Sequence, residues 1–257
     1  MIINKSADCI SFTTTRQGGV SVGNYASFNL SPFSGDNPVH LEENHQLLCQ
    51  KLGIEPSKLI IPFQTHGTEI RIIDQAFFHG SADEKTYCLN GVDALITQLP
   101  GVCIGVSTAD CVPLIFFDAQ KKVVAVAHAG WRGTCARIAE KTLLTMIEKF
   151  GCNAADIIVS IGPSISVAVY EVGNEVLKNF ENAGFDTGEI FVERNGSVYL
   201  DLWEANRQSL LNAGIIPEHI EIAGICSYTE HERFFSARRL GIKSGRMLSG
   251  IMIQCAN

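Results

Sequence analysis

Several signatures that would place a chain at once are missing from these 257 residues. There is no Gly-x-x-x-x-Gly-Lys-[Ser/Thr] and no Gly-x-Gly-x-x-Gly, which argues against a P-loop and a Rossmann nucleotide turn. No apolar run approaches membrane-spanning length; Val112–Phe117 and Val123–Ala127 are strand-sized, so no membrane partner is expected. Positive charge is in short supply. Lys and Arg number 20 against 27 Asp and Glu, a formal net charge of −7, which argues against nucleic-acid binding as a main activity. Cysteine is plentiful at nine, but the count is odd and no Cys-x-x-Cys occurs. Met1–Asp8 has neither the apolar stretch nor the small-residue cleavage site of a signal peptide. Reduced thiols and a cytoplasmic location are the expectation.

Hydrophobic residues make up 46% of the chain and charged residues only 18%, proportions that suit a compact globule with a substantial core. Strand-like runs cover Ile10–Thr15, Leu59–Phe63, Ile70–Ile73, Ala94–Thr97, Val102–Val106, Pro113–Phe117, Val123–Ala127, Ile157–Ile161, Val198–Leu200, Ile220–Ile225 and Ile251–Ile253. A helix is expected from Asn37-Pro38 to Gly53, with Asn as N-cap and Pro in the first turn. Helical periodicity continues over Gly133–Phe150, Glu175–Ala183 and Leu202–Ala213, the last capped by Asp201. Residues 16–38 and 79–90 read as polar loops, the first long enough to suggest a functional role. No linker, repeat or low-complexity tract divides the chain. One mixed α/β domain over residues 1–257 is the simplest arrangement.

Three segments end strand-like runs with side chains that bind metals: Gln64-Thr65-His66-Gly67, Ser107-Thr108-Ala109-Asp110-Cys111 and His128-Ala129-Gly130-Trp131-Arg132-Gly133. Two imidazoles and one thiolate form a known catalytic zinc set, whose fourth position stays open for water or substrate. No local element brings His66, Cys111 and His128 together by spacing, so the fold must do it. Taken singly, each has a plain structural alternative: a turn histidine, a small buried hydrophobe and a core histidine. Arg16 precedes Gly18-Gly19, and Arg132 lies between two glycines where a long helix is expected to begin; both suggest anion contacts. A late basic cluster, Arg238, Arg239, Lys243 and Arg246, is either a solvated edge or a patch for an anionic ligand.

As a set, these segments resemble the bacterial purine nucleoside phosphorylase family long named for multicopper polyphenol oxidases, or laccase-domain proteins. The resemblance rests on Thr15–Ser21, Asn29-Leu30-Ser31, Gly35-Asp36, Gln64–Gly67, Asp93–Thr97, Ala109–Pro113, His128–Gly133, Ile161-Gly162-Pro163 and Gly245-Arg246, in order along the chain. It implies a four-layer α/β/β/α sandwich with mixed sheets, and zinc held by His66, Cys111 and His128. It also implies phosphorolysis of adenosine, inosine, guanosine and methylthioadenosine, together with adenosine deamination, so that purine nucleosides and phosphate are the expected partners. Ala237 departs from the His or Tyr that many relatives carry there, which bears on substrate preference.

Arg16 and Arg132 are the expected anion or substrate contacts, Asn29 a polar contact, and Asp110 a group that orients a ligand or moves a proton. Two enzyme alternatives stand beside this expectation. One is a cysteine hydrolase with Cys111 as nucleophile and His128 or His66 as base. The other is a copper-dependent polyphenol oxidoreductase, since the same ligand set accepts copper. Against the latter stand only seven histidines and no His-x-His. A non-catalytic zinc or nucleotide-binding regulator is the third class. The sequence fixes no oligomeric state.

Overall fold

Short β-branched runs bounded by Gly, Asn and Pro set the architecture of the computed structural model, which describes residues 1–255; positions 256 and 257 of the expected domain lie outside the described residues. In chain order the strands are β1 (Ile2–Lys5), β2 (Cys9–Thr13), β3 (Leu59–Ile60), β4 (Ile70–Ile72), β5 (Ala94–Thr97), β6 (Cys103–Thr108) and β7 (Val112–Asp118). They continue with β8 (Val123–Ala129), β9 (Ile157–Ile161), β10 (Glu171–Val172), β11 (Phe191–Arg194), β12 (Ser197–Leu200), β13 (Ile220–Ile222) and β14 (Met247–Ile253). The helices are α1 (Pro38–Leu52), α2 (Gln75–His79), α3 (Ala82–Leu89), α4 (Trp131–Cys135), α5 (Ile138–Phe150), α6 (Asn174–Asn182), α7 (Thr187–Ile190), α8 (Leu202–Asn212) and α9 (Ala237–Leu240).

One mixed sheet runs β1-β2-β14-β6-β3 and a second runs β13-β9-β7-β8-β5-β4. Both combine antiparallel ladders with parallel pairing: one parallel pair in the first, β3 beside β6, and two in the second, β4 beside β5 and β13 beside β9. A small antiparallel sheet, β10-β12-β11, lies apart in the topology.

The period-2 alternation of side chains sorts the central strands between two cores. Leu95, Ile115, Val124 and Val126 share one apolar cluster with Ile104, Val106 and Ile251 of the first sheet. Their neighbours Ile96, Leu114, Phe116 and Ala125 join Leu143 and Met146 of α5 and Leu202 and Leu210 of α8 in another. On the far face of the first sheet, Phe12, Leu248 and Met252 pack with Leu48 and Leu52 of α1. The architecture is mixed α/β with several sheets. Among the described residues, no helix is long and apolar enough to cross a membrane.

Two expectations about elements are corrected. The stretch 79–90 is largely helix α3, because Ser81 and Glu84 form a reciprocal capping box at its start. The single helix expected over Gly133–Phe150 is two: α4 begins earlier, at Trp131, and Arg137 takes a left-handed φ of 61° that breaks the path before α5. Elsewhere the bounds shift by a few residues. The strand expected to end at Ala127 runs on to Ala129, so His128 belongs to β8. The N-cap of α1 is as expected: the Asn37 side chain accepts from the Val39 N–H, and Gly53 ends the helix at φ 68°.

Candidate metal centre

Pairing of β8 with its two neighbours assembles most of the centre. In the β7–β8 ladder Pro113 faces His128, so Cys111 enters just beyond the end of that pairing. In the β5–β8 ladder Ala94 faces Ala127, which brings Asp93 beside His128. The His128 N–H donates to the Asp93 carbonyl at 2.8 Å. His66 comes from the turn between β3 and β4, where it adopts a left-handed φ of 62°. That turn is clamped to the end of β6: Gln64 Nε2 donates to the Ser107 carbonyl at 2.9 Å, and its Oε1 accepts from the Ser107 N–H at 2.8 Å.

The result is a group of three donors, His66, Cys111 and His128, whose ligand atoms all lie within 4.8 Å of one another. His66 is exposed, Cys111 half-buried and His128 buried, so the group sits on the wall of a cavity and not deep in the core. The backbone of Gly130 passes directly behind it. A Cβ at that position would lie 3.0 Å from Cys111 Sγ and 3.1 Å from His66 Cδ2, so a side chain there would crowd two of the three donors.

Asp93 is the residue that sequence reasoning did not single out. It is fully buried. Its Oδ1 accepts from His128 Nδ1 at 2.8 Å and from the His66 N–H at 3.0 Å. Its Oδ2 accepts from the N–H groups of Gly67 and Thr65 at 2.7 and 3.1 Å. Burial alone would raise this carboxyl, but His128 and the surrounding N–H groups hold it below its ordinary value. With Nδ1 engaged by Asp93, His128 has Nε2 left for a cation, a carboxylate–histidine arrangement common behind metal ligands.

Electrostatics within the group follow from its crowding. Burial pushes the Cys111 thiol up, but the charge of His128 and hydrogen bonds from His128 and His66 overcome it and bring the thiol down to about 6. Burial pushes His128 down, and the Cys111 thiolate and Asp93 reverse this and raise it to about 9. Such a pair titrates in two steps that belong to the pair. Near neutral pH it is thiolate and imidazolium, with a sulfur already in the form that binds a metal. Two imidazoles, one thiolate and a supporting carboxylate fit a zinc-type or copper-type cation with a free position facing the cavity. Among the described residues this is the group of such ligands that closes to metal-binding distances.

The cavity in front of the centre has a volume of about 580 Å³ and is partly open. Phe33, Phe63, Ile165, Tyr170 and Ile242 give it apolar surface, and Ala237 contributes only a methyl group to its wall. Burial, with Cys111 nearby, raises the Tyr170 hydroxyl, which stays protonated. Asp110 also faces the cavity, at a left-handed φ of 84°. Its oxygens are taken up by Ser227 Oγ at 2.7 Å, Ser236 Oγ at 3.0 Å and the Arg238 N–H at 2.6 Å. It ties the β6–β7 turn to the chain around residues 227–238.

The expected substrate contacts fall elsewhere. Arg16 does not line the cavity; Nε and Nη1 donate to the carbonyls of Ala26 and His231 at 3.0 and 2.8 Å, and the guanidinium lies 5.0 Å from the Phe235 ring centroid. Asn29 is fully buried. Its Nδ2 donates to Ser34 Oγ and Asp36 Oδ2, and its Oδ1 accepts from the Arg246 N–H at 2.9 Å, so it braces a loop. Arg132 is exposed, with its guanidinium 4.3 Å from the ring of the adjacent Trp131. The five-residue α4 behind it does not deliver the long helix that suggested an anion site. The arginines on the cavity wall are Arg238 and Arg246, from the late basic cluster.

Comparison with known proteins places this geometry. Residues 10–254 match the family described as multi-copper polyphenol oxidoreductase laccase. The chain is 50% identical over 244 residues to a purine nucleoside phosphorylase of Bacteroides thetaiotaomicron, covering 94% of this chain and 90% of that one. It is 41% identical over 250 residues to adenosine deaminase RL5 from an unknown prokaryotic organism, covering 96% and 95%. Among solved structures, YlmD from Geobacillus stearothermophilus superposes with a TM-score of 0.90 at 32% identity, over 97% of this chain and 93% of that one. Extending over almost the full length in both sequence and structure, these matches show that the chain belongs to the multi-copper polyphenol oxidoreductase laccase family, among relatives named purine nucleoside phosphorylase.

Proposed function

We propose that the protein is a zinc-dependent purine nucleoside phosphorylase that acts on adenosine, inosine, guanosine and methylthioadenosine, and that it also deaminates adenosine. One observation carries the reading: His66, Cys111 and His128, three donors with no fourth such ligand beside them among the described residues, face a cavity large enough for a nucleoside. Relatives named for both activities support it. A cytoplasmic location is part of the proposal.

In phosphorolysis a phosphate oxygen bonds to the anomeric carbon of the ribose as the bond from that carbon to the purine nitrogen breaks. The purine leaves with the electron pair and takes up a proton; phosphate gives up its own, and ribose 1-phosphate and free base result. The cavity's aromatic rings at Phe33 and Phe63, 4.8 Å apart in an edge-on pair, offer apolar surface to the base. Asp110 and its hydroxyl partners fix the wall beside Cys111, and Asp93 fixes the two imidazoles. In deamination water adds at the purine C6 carbon and ammonia leaves. A cation held by His66, Cys111 and His128 supplies Lewis acidity to such a reaction. Copper satisfies the same ligands, so metal identity belongs to the proposal.

One observation favours a second reading. Cys111, His128 and Asp93 also make a thiolate–imidazolium–carboxylate series like that of a cysteine hydrolase. The hydrolase needs one imidazole at the thiolate; here two converge on it, which favours the metal. An inosine assay with and without phosphate separates the readings. Ribose 1-phosphate and hypoxanthine should appear together and only with phosphate; free ribose formed at the same rate without phosphate would make the enzyme a hydrolase.

A further inference from the structure

Two guanidinium groups that line the cavity, those of Arg238 and Arg246, have no carboxylate partner. Among the described residues, the ion pairs involve neither Arg238 nor Arg246. The nearby acid, Asp110, directs its oxygens to two hydroxyls and a backbone N–H and does not meet either guanidinium. Asp110 and the Cys111 sulfur act on Arg246 through space, but among the described residues no carboxylate occupies its hydrogen-bonding positions.

Arg246 is held in a fixed pose. Its Nη1 donates to the Ser244 carbonyl at 2.7 Å, to Ser244 Oγ at 3.0 Å and to the Gly245 carbonyl at 3.0 Å, and its Nη2 donates to the Ile242 carbonyl at 2.9 Å. Among the described residues Nε has no acceptor, and Nη2 makes a single hydrogen bond, to the Ile242 carbonyl. These two lie on the same edge of the guanidinium plane, the edge that grips a carboxylate or a phosphate with two parallel hydrogen bonds. Arg238 places Nη1 and Nη2 on a single acceptor, the Glu171 carbonyl, both at 3.1 Å, which leaves further N–H groups unused. On the same cavity Thr108 is buried, and among the described residues its hydroxyl has no hydrogen-bond partner. A buried hydroxyl without a partner is unfavourable, and a polar ligand in the cavity relieves it.

We propose that Arg246, through its Nε–Nη2 edge, and Arg238 form the subsite for inorganic phosphate, the second substrate of the cavity. The inference rests on the phosphorolysis reading above and replaces Arg16 and Arg132 as the anion contacts. Fixing a dianion here leaves the Phe33 and Phe63 rings of the cavity for the base. A preset guanidinium loses little freedom on binding, so the subsite should select tetrahedral oxyanions over halides.

Two measurements test the subsite. Inorganic phosphate is titrated by calorimetry into the metal-loaded protein, and inosine turnover is followed with phosphate varied and then with inosine varied. Arg246→Gln and Arg238→Gln are compared with wild type, and Arg207→Gln on α8, where Arg207 pairs with Glu204, serves as a cation loss elsewhere. Arg246→Gln should raise the phosphate KM roughly tenfold or more and abolish the calorimetric signal at phosphate concentrations that saturate wild type. The inosine KM should move far less, and Arg207→Gln should match wild type. Arg246→Lys should restore only part of the phosphate affinity, because charge returns without the fork. If Arg246→Gln does not fold, the exposed Arg238→Gln and Arg246→Lys read the same quantity. Unchanged phosphate binding and KM in folded, metal-loaded Arg246→Gln and Arg238→Gln would overturn the subsite. Absence of ribose 1-phosphate from wild type would instead remove the phosphorylase reading, while the calorimetry would still decide whether these arginines bind phosphate.

Discussion

Asp93 Oδ1 lies 2.8 Å from His128 Nδ1 and accepts the His66 N–H as well, so a single carboxylate oxygen sets the tautomer of one imidazole and the backbone of the other. Asp93→Asn should therefore weaken metal binding by roughly 10–100-fold, the usual effect of losing a carboxylate behind a metal-bound histidine. Competition with a chromophoric chelator measures it. Affinity within twofold of wild type would show that Asp93 serves the turn alone.

Metal affinity should depend on pH in two stages. Cys111 is lowered to about 6 and His128 raised to about 9, and a cation can bind only when both are deprotonated. Between those values the thiol has already lost its proton and His128 still holds one, so binding releases one proton and affinity rises about tenfold per pH unit. Below about 6 the thiol is protonated too, so this pair gives up two protons and its own share of the slope steepens towards two. Above about 9 this pair no longer contributes a slope. Calorimetry in buffers of different ionisation enthalpy counts the protons directly; release of no proton by this pair at pH 7 would contradict the thiolate–imidazolium state.

Gly130 has an ordinary φ of −68°, so Gly130→Ala introduces no backbone strain. The added methyl would still lie 3.0 Å from Cys111 Sγ and 3.1 Å from His66 Cδ2, inside van der Waals contact. Overpacking of this kind costs about 1–3 kcal/mol, and it should appear as weaker metal binding with only a small change in thermal stability of the metal-free protein. Equal affinity for alanine and glycine would show that the ligands have room to shift.

Asp110→Ala removes the acceptor of Ser227 Oγ, Ser236 Oγ and the Arg238 N–H in a buried place and puts alanine at a left-handed φ. The hydroxyls can turn but the N–H cannot, so a loss of about 3 kcal/mol is expected. At about 2–4 °C per kcal/mol for a chain of this size, the melting temperature should fall by about 6–12 °C. A melting temperature within a degree of wild type would free Asp110 from this structural role.

Much of the centre was legible because its donors end apolar runs: Cys111 just before β7 and His128 near the end of β8. Asp93 was legible in principle. An acid beside the apolar run Ala94–Ile96 must be buried with a partner, and its partner is the histidine one strand away. The loop at residues 79–90 hid a helix whose Ser81-x-x-Glu84 box is a readable start signal. The break at Arg137 was not legible, because only tertiary contacts hold an arginine in the left-handed region: its Nη2 donates to the Ala183 carbonyl at 2.9 Å and its guanidinium lies 4.4 Å from the Phe185 ring. Neighbouring glycines drew attention to Arg16 and Arg132, yet which arginine reaches the cavity is decided by the long-range return of residues 237–246 to the β6–β7 turn. No local pattern encodes that return.

Whether Cys111 is a metal ligand or a nucleophile is tested most directly by following Cys111 alkylation with iodoacetamide by mass spectrometry, in parallel with inosine turnover, before and after chelation and after zinc is restored. A ligand thiolate is shielded while the cation is bound. Low labelling with activity in the metal-loaded protein, high labelling without activity after chelation, and recovery when zinc is added back to unlabelled protein are the predicted results. Turnover that persists in protein verified free of zinc and copper, and that is abolished by alkylation of Cys111 alone, would contradict the metal centre and establish a cysteine nucleophile.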